Sequence, residues 1–262
     1  MRTAVRPPAV AGAFYPADPR RLAADVRSFL AAASIPELGF TVRGLIVPHA
    51  GYVYSGPVAA TGYRLLEGRD DLRRVVMLGP SHFVWFEGLA LPDADRLSTP
   101  LGELTVDRAA VALLEESPLV VESAVAHARE HSLEVQLPFL QVVLPDAAVV
   151  PILTGDVDPA DVARVVAPLV DDGTLLVVSS DLSHYHDYDT ARRLDAVTAE
   201  AIVGREPDAL GRDSACGRTG IQAALHLARR FGWRVERCDL RNSGDTAGPR
   251  DRVVGYGTFV LG

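Results

Sequence analysis

Three short apolar runs in this chain end on residues that can do chemistry. VRGLIVP (42–48) runs into His49, RRVVMLG (73–79) passes through Pro80 and Ser81 into His82, and TLLVVSS (174–180) runs into Asp181 and His184. Imidazole is the commonest protein ligand for transition metals and suits iron, copper and zinc, so several histidines delivered to one crevice point to a metal ion. Each histidine alone has a plainer reading as a loop or helix-capping residue, and it is the repetition over three runs that favours the metal. A further candidate is Cys216 in SACGRTGI (214–221), just ahead of a predicted helix start. Exposed helix N–H groups there favour the thiolate, as ligand or nucleophile; the alternative is a small buried hydrophobe, the role expected of Cys238.

Two other segments bear on the same crevice. In HAGYVYSG (49–56), Gly51 permits a tight turn after His49, and Tyr52 and Tyr54 either line a pocket with their hydroxyls or pack beneath the loop. In AHAREHSLEVQLPFL (126–140), helical spacing puts His127 and His131 one turn apart with Glu130 and Glu134 alongside. Ala128 follows His127, so the H-E-x-x-H of zinc peptidases is absent, which argues against a metallopeptidase. His131 and Glu134, at i and i+3, suit a pair that orients a ligand or a catalytic histidine. Glu130 reads at least as well as an acid placed for a helix dipole.

The elements that must position these residues are legible from periodicity. The three runs and AAVVPIL (147–153) lack alternation and read as strands buried on both faces, which implies parallel pairing. Asp18 and Pro19 open a helix over RRLAADVRSFLAAA, and further helices are predicted over 55–66, 107–116, 131–143, 158–170, 189–203 and 217–231. WRVERCDL (233–240) and RVVGYGTFVLG (252–262) add two strands. The expected class is α/β: one domain over 1–262 with a mostly parallel central sheet flanked by helices in three layers. Open sheets of this kind bind ligands outside the carboxyl ends of their strands, where His49, His82, Asp181 and His184 emerge.

Composition narrows the function classes. With 48% hydrophobic and 23% charged residues the chain is globular, and a net charge of −8 argues against nucleic acid or an anionic membrane as partner. Every basic side chain is Arg, which excludes a lysine Schiff base and a P-loop lysine. No apolar run approaches a membrane span, the N-terminus carries no signal-peptide core, and two cysteines make no disulfide framework, so a reducing cytoplasm is expected.

PAVAGAFYP (8–16), PHAGYVYSG (48–56), GPSH (79–82), EHSLEVQLPFL (130–140), SSDLSH (179–184), CGRTGI (216–221) and SGD (243–245) followed by VVGYG together resemble the Memo-like family, known in prokaryotes as AmmeMemoRadiSam system protein B. The resemblance implies a fold similar to class III extradiol dioxygenases. It places a mononuclear metal on His49, His82 and Cys216, with Asp181 and His184 as pocket residues and His184 as acid/base. Cysteine in place of the dioxygenases' carboxylate argues against ring cleavage and shifts preference toward copper(I), zinc or an iron centre with altered redox behaviour; iron is the metal expected first, with copper or zinc as alternatives. The family's association with a radical-SAM protein and an AMMECR1-like protein implies a shared pathway. Three functions follow in order: a redox-active metal protein, either an oxidoreductase or a partner to a radical enzyme; a catalytically silent module that binds a small molecule or peptide; and a hydrolase using Cys216 with His184 and Asp181. Tyr54, His131 and Glu134 complete the expected pocket.

Overall fold

The four unalternating runs form strands covered on both faces, and these four make the centre of the protein. In the computed structural model, which describes residues 3–262, the chain runs β1 (Thr3–Arg6), α1 (Pro19–Ala32), β2 (Gly44–Val47), α2 (Tyr52–Tyr63), β3 (Arg74–Pro80), β4 (Leu89–Leu91), β5 (Ala94–Thr99), β6 (Gly102–Thr105), α3 (Arg108–Leu114), β7 (Val120–Glu122), α4 (Ala124–Ala128), α5 (Leu137–Val143), β8 (Ala148–Thr154), α6 (Pro159–Val166), β9 (Thr174–Ser179), β10 (His184–His186), α7 (Tyr188–Val203), α8 (Arg218–Phe231), β11 (Val235–Asn242), α9 (Ser243–Thr246) and β12 (Val253–Leu261). The larger sheet has the order β10-β12-β2-β9-β3-β8-β4-β7, with β11 also on β12; a smaller sheet is β1-β5-β6. Strands β2, β9, β3 and β8 are mutually parallel, as their double burial implies. The flanks β12 and β4 join them antiparallel.

Helices cover both faces. On one, Gly62 of α2 lies so close to the sheet that a Cβ would meet the Thr258 methyl at 2.9 Å, and α1 and α5 pack behind it. On the other, a Cβ on Gly220 of α8 would stand 3.1 Å from Val178, with α6 behind. This is the three-layer α/β arrangement expected from the sequence. The α1 start follows its sequence signal, since the Asp18 carboxylate accepts from Arg21 N with Pro19 at the first helical position.

Two elements differ from expectation in ways that matter for the site. The predicted helix over 131–143 begins only with a 3-10 turn at Glu134–Gln136. Residues 131 and 132 are held out of the helix because their backbone N–H groups donate to the Glu130 carboxylate. The helix predicted over 55–66 starts earlier, at Tyr52, directly after the turn at Gly51. The short strands β4 to β7 and β10 had no sequence signal, being three to six residues long and partly solvent-facing. No helix among the described residues is long and apolar enough to cross a membrane.

Candidate metal centre

Because β2 and β3 flank β9 and all three run the same way, their carboxyl ends open on one edge of the sheet. His49, His82 and Asp181 each lie two residues beyond their strand. They line a cavity of about 700 Å³ together with His131, His184 and Cys216.

Among the described residues, one group of three candidate donors lies close enough to share a metal ion: His49, His82 and His131, whose ligand atoms are all within 4.8 Å of one another. Tetrahedral coordination at metal–nitrogen distances of roughly 2.0–2.1 Å places nitrogens about 3.3 Å apart, so small ring rotations suffice. The rings of His82 and His131 stack at 4.7 Å, and both meet His49 edge-on at 5.3 and 5.6 Å. His131, expected to orient a ligand, thus lies close enough to the other two histidines to be a candidate donor itself.

Hydrogen bonding fixes which nitrogen of two of these rings faces the cavity. The Ser179 hydroxyl donates its one proton to Ser132 O at 2.6 Å and accepts from Gln136 Nε2 at 2.7 Å. Its contact with His49 Nδ1 at 2.9 Å must then have the ring as donor. His49 carries its proton on Nδ1 and keeps the Nε2 lone pair free. His82 is set by Glu130, which accepts from His82 Nδ1 at 2.9 Å and from His82 N at 2.6 Å. Burial alone would raise the Glu130 pKa, but these bonds and those from His131 N and Ser132 N hold it at about 2. An ionised carboxylate can only accept, so the His82 Nδ1 proton points to Glu130 and Nε2 is the nitrogen without a hydrogen-bond partner.

Burial and the neighbouring His82 push the His49 pKa down to about 3; burial and His49 push His131 down to about 4. Both rings stay neutral at ordinary pH, the state in which imidazole binds metal. Asp181 is buried, accepts from His49 N at 2.7 Å, and has its pKa raised by burial. His184 donates Nδ1–H to Leu182 O at 2.8 Å, which leaves Nε2 free toward the cavity. Of the two tyrosines left open by the sequence, Tyr54 lines the cavity, while Tyr52 is buried with its hydroxyl on Val135 O at 2.7 Å.

Two expectations need correction. Cys216 does precede α8 and lines the cavity half-buried, but its pKa is pushed up to about 12, by desolvation first and the Asp181 charge second; that outweighs the helix N–H groups. Its Sγ lies 3.4 Å from His49 Nε2 and completes no three-donor group with the histidines. Glu134 is not a pocket residue. Its side chain faces away, accepting from Arg6 Nη1 at 2.8 Å, Ala9 N at 2.7 Å, Val10 N at 2.9 Å and Tyr15 OH at 2.6 Å. The helical spacing that paired it with His131 fails because the helix does not yet exist at residue 131.

Sequence reasoning missed Glu130 and Ser179 as positioning residues. The signal for Glu130 was a carboxylate directly before a candidate ligand; for Ser179 it was only a hydroxyl closing a buried strand. The sequence also matches the Memo-like protein family model over residues 6–260. Similar proteins include a MEMO1 family protein of Ignicoccus hospitalis, 38% identical over 278 aligned residues and covering 96% of each chain. Another, from Thermoplasma acidophilum, is 36% identical, covering 97% of this chain and 98% of its own. A third, from Thermotoga maritima, is 38% identical, covering 98% and 99%. The fold is similar to the crystal structure of an uncharacterized Escherichia coli K12 protein, with a TM-score of 0.52, 14% identity, and coverage of 84% of this chain and all of that one.

Proposed function

This chain belongs to the Memo-like protein family, and on that premise we propose that it holds one transition metal ion on His49, His82 and His131. The observation that carries the reading is the trio of close imidazoles, two of them locked by Ser179 and Glu130 through Nδ1 with their Nε2 atoms directed away from their hydrogen-bond partners. Nitrogen donors of this kind suit iron, copper or zinc. A bound iron or copper would supply one-electron chemistry, and that makes a metal-dependent oxidoreductase the leading class.

The protein's own residues supply the rest. Asp181 anchors the backbone of His49, and His184, with Nε2 free, takes up or returns a proton at the cavity floor. Cys216 is the competing third ligand. Its Sγ stands at a ligand-to-ligand distance from His49 Nε2, and metal binding would have to strip its proton. The hydrolase reading is the weaker one, because a thiol with a pKa near 12 is a poor nucleophile. The shared pathway with radical-SAM and AMMECR1-like proteins rests on the family resemblance alone.

Metal analysis of anaerobically purified protein and its variants tests the site. His82→Ala should lose the metal. If His131→Ala loses it and Cys216→Ser keeps it, the three-histidine set stands; the reverse installs Cys216. Protein that takes up no iron, copper or zinc supports the silent binding module instead.

A further inference from the structure

The mouth of the cavity carries a second recognition element. In a regular strand, neighbouring side chains point to opposite faces. Along β10 the register on β12 shifts between His184 and His186, and Tyr185 between them has φ of +64°. For a bulky residue that is an outlier, and such strain persists where the surroundings impose it. Its consequence is that His184 and Tyr185, though consecutive, both line the cavity.

Tyr185 in turn holds an arginine. The Arg252 guanidinium lies over its ring at 4.5 Å, and among the described residues no hydrogen bond or ion pair engages it. Its near neighbour Arg250 differs, with a bond to Gly244 O as well as a ring contact. Arg252 is the one permanently charged cation among the described residues lining the cavity; Phe14, Tyr54, Val254 and Tyr256 give the walls apolar and aromatic surface. The cavity lining thus combines a positive charge with all its N–H donors unspent, apolar and aromatic walls, and the histidine group.

We propose that Arg252, steadied by Tyr185, recognises a carboxylate, and that the pocket takes a small monocarboxylic acid with an apolar or aromatic body. A single guanidinium with no second cation and no Gly-rich loop matches one negative charge and the planar fork of a carboxylate better than a phosphate dianion. The carboxylate contact is independent of the metal reading above.

Titrations followed by ligand-observed NMR, on untreated and on chelator-treated protein, use benzoate, the neutral benzamide and phenyl phosphate as probes. Benzoate should bind saturably in both preparations and about tenfold more weakly to Arg252→Gln, the loss expected for a charge-assisted bond. Benzamide should bind less tightly than benzoate and be indifferent to the substitution. Tyr185→Phe should keep benzoate affinity and Tyr185→Leu lower it severalfold. Absent benzoate binding, equal affinity for benzoate and benzamide, or an unaffected Arg252→Gln overturns the proposal. Tighter binding of phenyl phosphate overturns the carboxylate assignment. If Arg252→Gln does not fold, the benzoate–benzamide comparison on the native chain still decides. Benzoate binding that vanishes on chelation assigns the acid to the metal and removes Arg252, whereas Arg252-dependent binding in protein that takes up no metal keeps this inference and sinks the metal site.

Discussion

Two polar clusters, one lining the cavity and one beside it, share the stretch of chain from residue 127 to residue 134. His127 and Glu134 join Arg6 and Tyr15; Glu130 and His131 join His49, His82 and Ser179. Both are rich in hydrogen bonds to buried carboxylates; the first is buried throughout, while the second runs from buried His49 and Glu130 out to half-buried His131 and exposed His82. They differ in what is left over. In the first, Glu134 receives four donors, matching the acceptor sites of its two oxygens, and Arg6 spends its guanidinium on His127 O, Glu130 O and Glu134. In the second, the bonds to Ser179 and Glu130 each terminate on an imidazole with one nitrogen unspent. A closed network ties the N-terminal strand to the core; an open one is a binding site.

Breaking the closed network should produce the largest effect. Glu134→Ala leaves the Arg6 guanidinium buried without its counter-charge and strands the N–H groups of Ala9 and Val10. Losing one partner of a buried pair costs about 3–5 kcal/mol. Chemical denaturation of metal-free protein should show that loss, while the fraction still folded takes up metal with near-native affinity. A Glu134→Ala protein of native stability but weakened metal binding would invert the comparison.

Acid offers the next test, at His127. His127 is buried with Nε2 on Ala90 O at 2.9 Å, and burial pushes its pKa from 6.5 down to about 4. The sign follows from linkage. The folded state prefers the neutral ring, so the unfolded chain takes up protons first as pH falls. The stabilisation is complete above pH 6.5 and is lost progressively from there toward pH 4. At 1.36 kcal/mol per pKa unit, the whole shift corresponds to about 3 kcal/mol. His127→Gln, whose amide can still donate to Ala90 O, should therefore lose less stability than the native chain between neutral pH and about 4. Parallel pH–stability curves for the two would show that His127 is not a source of acid sensitivity.

How much of this was readable beforehand depends on what each feature rests on. The central strands and the delivery of His49, His82, Asp181 and His184 to one edge followed from apolar runs, because double burial leaves its mark on all of β2 and β9 and on β3 after Arg74. The division of residues 127–134 between two clusters was not readable. It depends on Glu130 capturing the N–H groups of residues 131 and 132, which cancels the helical spacing assumed for that stretch. Nor was the pairing of Tyr185 with Arg252, which needs a bulge and the register of β12, both tertiary facts. Cys216 was placed correctly before α8 but assigned the wrong protonation preference, since burial by the surrounding fold leaves no mark on its local sequence.

The finest test of the open network is Glu130→Gln, which changes one atom. All four contacts of the Glu130 carboxylate are with donors: His82 N on one oxygen, and His82 Nδ1, His131 N and Ser132 N on the other. An amide cannot satisfy them in either orientation, because its NH₂ must face at least one N–H. If the NH₂ faces His82 Nδ1, that nitrogen becomes the acceptor and the ring proton moves to Nε2, closing the nitrogen the metal needs. Substitutions in the residues that orient metal ligands typically weaken binding by about 10–100-fold, or roughly 1.4–2.7 kcal/mol. A competition titration with a chelator should find that loss in Glu130→Gln and little or none in Glu134→Gln, two substitutions four residues apart. Equal losses in both would mean that the clusters act as one network and that their separation has no functional content.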